Sequence, residues 1–212
     1  MGGAGAVQNA GDRVTIPLTE PFDRFADVFA SASATLSREC FPEVNAMSLA
    51  TADTQGRPSN RIVLLKGFDT RGFVFYTNFD GRKGRELLAN PFCALCFHWP
   101  PIEVQVRVEG AAEPVGDSEA DAYFATRARE SQLGAWASMQ SRPMQHADDL
   151  DRRLREFAAR FDGVEVPRPS NWSGFRVVPS RIEFWHSRPG RLHDRVAYDR
   201  EADGWRNATL YP

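Results

Sequence analysis

The sequence predicts a mainly β protein in which an antiparallel barrel or sandwich carries helices on its outside. Segments with the patterning of strands follow one another in the first half of the chain, at residues 46–52, 61–66, 72–78, 92–99 and 102–114. A helical middle comes next, and three or four more strands are expected from Ser173 onward. Strands and helices do not alternate regularly, which argues against a parallel sheet. The 15 phenylalanines suit a β-rich core.

The N-terminal part begins with a Gly-rich polar stretch. Residues 1–18 are predicted to form a mobile segment, and residues 19–212 a single domain with one sizeable core. Thr19 supplies a capping hydroxyl and Pro21 would lie in the first turn, so a helix is expected to begin there. Apolar residues then recur at helical spacing to about Ser37.

Cap and breaker residues delimit the later helices. A short helix is expected at residues 82–89, with Pro91 ending it. Ser118 is followed three residues later by an acid, which predicts the start of another helix, and helical segments continue with breaks to about Phe161. A Pro-rich connection at residues 166–169 then leads into the final strands.

Composition excludes several classes of partner. The formal net charge of −2 gives no electrostatic reason to expect binding to nucleic acid or to an acidic membrane. The start of the chain lacks the basic and apolar regions of a secretory signal, and no apolar run is long enough to span a bilayer. The expected location is therefore the cytoplasm.

Cys93 and Cys96 form a C-x-x-C pair, which raises the question of a metal site. The only nearby histidine is His98, and no second pair follows at the spacing of zinc ligands. The surrounding residues read as a buried strand, on which side chains three apart face opposite sides. We therefore expect two small core residues and no metal site.

A cluster of cationic and titratable residues lies near the C-terminus. Arg191, His193 and Arg195 occupy alternate positions shortly after Trp185, so on an extended backbone they would share one face. Three such groups beside a tryptophan favour a flat anionic ligand between them. A solvated edge strand with charged side chains is the alternative.

A second basic cluster lies far upstream. Arg61 and Lys66 stand at the two ends of a predicted strand, and Arg82 and Lys83 stand where a helix is expected to begin. Cations are unfavourable at that end of a helix dipole unless an anion lies there as well. A phosphate bound by the helix N-terminus and the basic side chains would resolve this conflict. Solvated surface charges are the alternative.

Together, these clusters and the segments between them resemble the pyridoxamine 5′-phosphate oxidase family of FMN enzymes. The resemblance covers about residues 45–212, and each motif is weak alone but specific in this order and spacing. The matching segments are residues 61–66, 75–78, 82–83, 105–106, 123–127, 131–136, 140–141, 182–185 and 191–195.

The resemblance implies a split β-barrel fold and a homodimer with two FMN sites at the subunit interface. It also implies oxidation of pyridoxamine 5′-phosphate or pyridoxine 5′-phosphate by O2 to pyridoxal 5′-phosphate, with release of H2O2. The residues that match flavin contacts are Arg61, Ile62, Val63, Leu64, Leu65, Lys66, Tyr76, Thr77, Arg82, Lys83, Gln105, Gln140, Ser141, Trp185 and Arg195. The residues that match the cradle for the substrate phosphate are Lys66, Tyr123, Arg127 and Ser131.

Arg191 and His193 match the pair that holds the substrate's pyridine ring over the flavin, and they are the predicted catalytic residues. An arginine can bind ring substituents, and an imidazole titrates near neutral pH and can assist with a proton. Hydride acceptance belongs to the flavin. For the phosphate dianion, arginine, lysine and hydroxyl donors are the expected partners.

Three departures from the family pattern stand out. Residues 1–20 lack the usual Arg-x-x-Tyr segment, Val104 stands where an arginine is common, and Gly81 replaces a usual serine. Two other readings therefore stay open. One is a split-barrel flavin oxidase of a specialised pathway, resembling those of phenazine biosynthesis, with another aromatic substrate. The other is a non-catalytic protein that binds FMN or pyridoxal 5′-phosphate, or a split-barrel protein that uses a deazaflavin.

Overall fold

The structure is a computed structural model that describes residues 16–35 and 43–212. The predicted mobile segment, residues 1–18, lies almost entirely outside these ranges, and so does the predicted end of the first helix near Ser37. The division into that segment and a single domain at residues 19–212 stays a prediction.

Five helices and nine strands occupy the described ranges. The helices are α1 (Glu20–Thr35), α2 (Arg82–Ala89), α3 (Asp117–Ala125), α4 (Arg129–Ala137) and α5 (Asp149–Arg160). The strands are β1 (Ala46–Ala52), β2 (Pro58–Leu64), β3 (Gly67–Asp69), β4 (Gly72–Asn78), β5 (Phe92–Trp99), β6 (Val104–Pro114), β7 (Trp172–His186), β8 (Asp194–Glu201) and β9 (Gly204–Leu210).

These strands form one antiparallel sheet that branches at β7. Its main path runs β2-β1-β5-β6-β7-β4-β3, and β8 and β9 extend it from β7. The first part of β7 pairs with β4, its last part pairs with β8, and β6 lies along almost its whole length. The sheet curls into a half-barrel, which confirms the predicted split-barrel class.

Aromatic side chains fill the barrel core. Phe25 of α1 is fully buried and meets Phe68, Phe73 and Phe97 edge-on, with ring centroids 4.8, 5.0 and 5.0 Å away. Edge-to-face pairs of this kind add to the free energy gained from burying the rings. Helix α1, which the apolar spacing predicted, therefore packs its apolar face against the barrel core.

Several element bounds differ from the sequence-based expectation. The strand predicted at residues 61–66 is β2, and it ends before Lys66, whose N–H donates to Val74 O instead. Strand β3 was not predicted, because three residues are too few to show a pattern. Ser118 does not open α3: Gly116 is the N-cap residue and its C=O accepts from Ala120 N–H, so Ser118 lies inside the first turn.

Cys93 and Cys96 lie on β5 as predicted, opposite Gly110 and Arg107 of β6. Both are half-buried, and burial raises the pKa of each thiol, for Cys93 to about 12. Neither thiol is therefore ionised near neutral pH.

None of the helices between residues 16 and 35 or between 43 and 212 combines the length and apolar composition needed to cross a membrane.

The pairing of β6 and β7 contains a bulge that depends on a glycine. The register shifts between Glu109 and Gly110. A Cβ on Gly110 would lie 2.1 Å from Val178 O and 2.9 Å from Pro179 Cα, so the two backbones approach too closely for any side chain.

We therefore expect Gly110→Ala to lower the free energy of unfolding by about 1–3 kcal/mol, the cost of overpacking against rigid backbone. Gly67→Ala is the matched control, since a Cβ there meets nothing within 4 Å. Urea denaturation of both variants measures the difference. Equal stabilities would show that the close approach does not constrain residue 110.

Candidate active site

A cavity of about 680 Å³ opens between the barrel and the helical segment. This volume lies within the range of small-molecule and cofactor sites. Strands β2 and β4, helices α2, α3 and α4, and the first residue of β7 all contribute to its wall. The lining residues are Ile62, Val63, Leu64, Lys66, Tyr76, Thr77, Asn78, Lys83, Tyr123, Arg127, Ala128, Ser131, Gly134, Ala135, Ser138, Gln140 and Trp172.

The wall of this cavity carries an unbalanced positive charge. Lys66, Lys83 and Arg127 line it, whereas none of the described residues of the wall is Asp or Glu. Burial lowers the pKa of Lys83, and the nearby charge of Arg61 lowers it further. Burial also lowers the pKa of Arg127. Burial makes the charged forms of these two side chains less favourable. An anionic ligand in the cavity would offset this unfavourable free energy.

Lys83 is held by polar groups from two distant segments. Its Nζ donates to Gln140 Oε1 at 2.9 Å and to Thr77 Oγ1 at 3.2 Å. Gln140 reaches this position because residue 81 is glycine: a Cβ on Gly81 would lie 2.3 Å from Gln140 Oε1. The missing side chain at residue 81 thus makes room for the amide that orients Lys83.

Arg127 is placed by aromatic rings. It follows α3, and its Cζ lies 4.6 Å from the centroid of the Trp172 ring and 5.5 Å from that of Phe124. Its Nη1 is buried and has no hydrogen-bond partner among the residues that the structure describes. A buried donor of this kind on a cavity wall is suited to an oxyanion of a ligand.

A buried carboxylate, that of Glu86 on α2, binds both arginines that flank the cavity. Glu86 Oε1 accepts from Arg82 Nε at 2.8 Å, and its Oε2 accepts from Arg61 Nη2 at 3.3 Å. Its Oε2 also accepts from the hydroxyls of Thr51 and Ser59 at 2.5 and 2.6 Å. The charge conflict predicted at the start of α2 is thus balanced from within the helix, since Arg82 and Glu86 are four residues apart.

The C-terminal group of predicted residues lies on a different part of the chain. Gln105, Trp185 and Arg195 are direct neighbours across β6, β7 and β8, so their side chains form a row on one face. Arg195 Nε donates to Glu183 Oε1 at 2.8 Å, and its Nη1 donates to Tyr211 O at 2.9 Å. A second cavity of about 420 Å³ is lined by residues 192–195 and 209–212.

The expectation that Arg191, His193 and Arg195 share one extended strand is wrong. Arg191 ends a short 3-10 turn with φ of 62°, and β8 begins only at Asp194. The turn forms because Gly190 also takes a positive φ, which reverses the chain before the strand. His193 nevertheless lies beside Trp185, with ring centroids 4.5 Å apart, and its Nδ1 accepts from the N–H of Arg188 at 3.2 Å.

The single chain thus divides the predicted site residues into groups. Those on the large cavity are Ile62, Val63, Leu64, Lys66, Tyr76, Thr77, Lys83, Tyr123, Arg127, Ser131 and Gln140. Those near the C-terminal cavity are Gln105, Trp185, Arg191, His193 and Arg195. Arg61 and Arg82 both bind the Glu86 carboxylate. Ser141 Oγ accepts from the backbone N–H of Arg82 at 3.3 Å. Leu65 points into the core, and its N–H and C=O both bond to Asn45.

Among the residues that hold the cationic side chains in place, sequence reasoning missed Trp172 and Glu86. Glu86 had a local signal, because an acid four residues after Arg82 predicts an ion pair on a helix. Trp172 had none: it is distant in sequence from Tyr76, Tyr123 and Arg127, which it meets only in the folded chain.

Comparison with known proteins finds relatives over most of this chain. A family model described as pyridoxamine 5′-phosphate oxidase matches residues 36–161. A second, described as the pyridoxine 5′-phosphate oxidase C-terminal dimerisation region, matches residues 172–212. The chain is 56% identical over 200 residues to a pyridoxine/pyridoxamine 5′-phosphate oxidase of Myxococcus xanthus, covering 94% of this chain and 95% of that protein. It is 61% identical over 170 residues to one of Rubrobacter xylanophilus, covering 80% and 78%.

Solved structures agree on the fold. PhzG of Burkholderia lata 383, in complex with tetrahydrophenazine-1-carboxylic acid, superposes with a TM-score of 0.82 at 29% identity, covering 98% of this chain and all of that one. An FMN-binding protein of Nostoc punctiforme, related to pyridoxamine 5′-phosphate oxidase, superposes with a TM-score of 0.69 at 16% identity, covering 91% and 98%.

The Glu86 network predicts a pH-dependent contribution to stability. Burial alone would raise the pKa of Glu86, but hydrogen bonds from Ser59, Thr51 and Arg82 outweigh burial and lower it from 4.5 to about 2. The folded state therefore favours the ionised form. The stabilisation is complete above pH 4.5 and disappears as the pH falls towards 2.

We expect Glu86→Gln to unfold at a lower urea concentration than the parent protein at pH 7, with the difference shrinking between pH 4.5 and pH 2. Glu156→Gln is the control, because Glu156 forms an exposed pair with Arg152 on α5. A difference for Glu86→Gln that is constant across this pH range would contradict the assignment of charge to Glu86.

Proposed function

This chain belongs to the pyridoxamine 5′-phosphate oxidase family, and we propose that it oxidises pyridoxamine 5′-phosphate and pyridoxine 5′-phosphate to pyridoxal 5′-phosphate with FMN as its cofactor. Two electrons and two protons leave the substrate carbon and its substituent, and O2 takes them up to give H2O2. With the amine substrate, water then replaces nitrogen and ammonia is released.

The observation that carries this proposal is the cationic cavity. Lys66, Lys83 and Arg127 face one space with no carboxylate in its described wall. Lys83 and Arg127 are held by separate groups of side chains, one polar and one aromatic, so the wall offers two sets of anion-binding residues. The reaction brings two phosphates together, one on the cofactor and one on the substrate, and this matches the two groups.

The residues around Lys83 suit FMN. Lys83 and Thr77 offer donors for a phosphate or ribityl oxygen, and the Gln140 amide can donate as well as accept. Ile62, Val63 and Leu64 provide a partly apolar strand against which a flat ring can lie. When bound, FMN supplies the hydride acceptor, and the chain's own residues bind and orient it.

The residues around Arg127 suit the substrate phosphate. Lys66, Tyr123, Arg127 and Ser131 combine two cations with two hydroxyls on the same cavity wall. A phosphate dianion forms its strongest hydrogen bonds with such charged donors. The same set argues against a substrate without phosphate, which is what the alternative of a phenazine-type oxidase would require. The PhzG structure is also only 29% identical, against 52–61% for relatives named as B6-phosphate oxidases.

Arg191 and His193 complete the proposed site through a second copy of the chain. The large cavity and the C-terminal cavity share no lining residue. Arg191 and His193 lie within residues 172–212, which match the family's dimerisation region. We therefore propose a homodimer in which the C-terminal group of one protomer faces the large cavity of its partner. Because Nδ1 accepts from Arg188 N–H, the neutral His193 ring carries its proton on Nε2 and can donate it from there.

An anaerobic titration of the FMN-loaded protein with pyridoxine 5′-phosphate tests the function. We expect the visible flavin band to bleach, and to return on admission of air with formation of pyridoxal 5′-phosphate. A yellow protein that neither B6 phosphate bleaches would refute the proposed substrate.

Arg127→Gln and Lys66→Met are expected to raise KM for pyridoxine 5′-phosphate by about tenfold or more, the usual cost of losing a hydrogen bond to a charged group. Bound FMN should not change in Arg127→Gln, because Arg127 belongs to the proposed substrate-phosphate set alone. Arg160→Gln is the matched control, since Arg160 also stacks on a tryptophan, Trp136, but lies off the cavity. An unchanged KM in both cavity variants would refute the assignment of Lys66 and Arg127 to the substrate phosphate.

Arg191 combines a proposed catalytic role with a strained backbone. A non-glycine residue with φ of 62° costs on the order of 1 kcal/mol or more. We expect Arg191→Gly to lower kcat while leaving the free energy of unfolding unchanged or higher. Arg191→Ala should lower kcat but keep the strain. If Arg191→Gly retained full kcat, Arg191 would have no part in the reaction.

A further inference from the structure

Trp172 lines the large cavity at the start of β7, where it is fixed from several sides. The residue is 6% exposed, and its backbone lies opposite Asn78 of β4 in the sheet. Its N–H donates to Pro169 O at 3.0 Å, and its C=O accepts from Arg168 Nη1 at 2.9 Å. Both backbone groups are therefore held, so the indole has a defined position.

The indole belongs to a set of parallel rings. Tyr76 and Tyr123 stack with centroids 3.9 Å apart, and the Trp172 ring lies 5.4 Å from Tyr76 and 6.2 Å from Tyr123. The three planes are within 9° of parallel. Phe124 closes against Trp172 edge-on at 5.1 Å. The tyrosines and the indole thus hold one another in place, and Arg127 packs on the Trp172 ring, whose position is fixed.

Arg127 is held differently from Arg61 and Arg176. Arg61 and Arg176 each form an ion pair with a carboxylate, whereas no carboxylate in the described ranges pairs with Arg127. A guanidinium stacked on an aromatic face is attracted through its plane, and its N–H donors at the edge stay available. A carboxylate would instead neutralise the charge and occupy those donors.

We propose that Trp172 is a positioning residue for substrate phosphate: its ring holds the Arg127 guanidinium so that the N–H edge remains available to the phosphate. This inference rests on the proposed function and adds a residue to its phosphate site. Trp172 acts through Arg127 and takes no part in proton or hydride transfer. Its removal therefore affects discrimination between phosphorylated and unphosphorylated ligands.

The test compares the binding of pyridoxal 5′-phosphate and pyridoxal to the FMN-loaded protein by calorimetry. The parent protein should prefer the phosphorylated ligand. Trp172→Leu should reduce this preference by about fivefold to tenfold, a loss between those of exposed and fully desolvated cation–π contacts. It should also raise KM for pyridoxine 5′-phosphate with little change in kcat. Trp172→Phe, which keeps an aromatic face, should restore most of the preference.

A double-mutant cycle separates positioning from general stability. In an Arg127→Gln background, Trp172→Leu should cause little further loss of phosphate preference, because the guanidinium is already gone. Trp136→Leu is the stability control: Trp136 belongs to the same hydrophobic cluster and stacks with Arg160, yet it does not line the cavity. It should lower Tm without changing the preference.

Additive effects of Trp172→Leu and Arg127→Gln, or an equal loss of preference in Trp136→Leu, would overturn the inference. If Trp172→Leu does not fold, Trp172→Met is measured in the same cycle with the same criteria. A parent protein without any preference for pyridoxal 5′-phosphate over pyridoxal would instead refute the proposed function. The two failures are therefore distinguishable.

Discussion

The continuous pairing of β7 is the constraint on which the rest of the structure depends. This 15-residue strand pairs with β4 through its first part, with β8 through its last part, and with β6 along almost all its length. One end places Trp172 in the large cavity, and the other places Trp185 beside Arg195 and His193. A strand of ordinary length would be too short to contribute residues to both regions.

The cationic side chains near the two cavities are held in place in two different ways. Glu86 binds Arg61 and Arg82, and Glu183 binds Arg107 and Arg195, so these side chains are fixed and largely neutralised. On the cavity wall the balance is different. There, amide and hydroxyl groups orient Lys83, and rings orient Arg127, without cancelling the charge. This separation keeps a positively charged cavity wall in a protein whose net charge is −2.

Local signals account for the parts of the fold that were predicted well. Strand β1, strand β5 and helix α2 have the predicted bounds, because turns or a proline limit them on both sides. The start of β2 and the turn at Arg191 were misjudged, since β2 extends by pairing with β1 and the turn requires φ values that patterning does not reveal. Eight positions of the predicted flavin set do line one cavity, as do Tyr123, Arg127 and Ser131.

By itself, the sequence determined the β-rich class, the helix and strand order, and the residue types that suit phosphate and flavin, because periodicity, turn residues and charged motifs are local properties. Only the tertiary structure decided that Glu86 pairs with Arg61 and Arg82, and that Trp172 stacks under Arg127. It also separated Arg191 and His193 from the large cavity within one chain. Such contacts join residues far apart in sequence, so only the packing of the sheet and helices determines them.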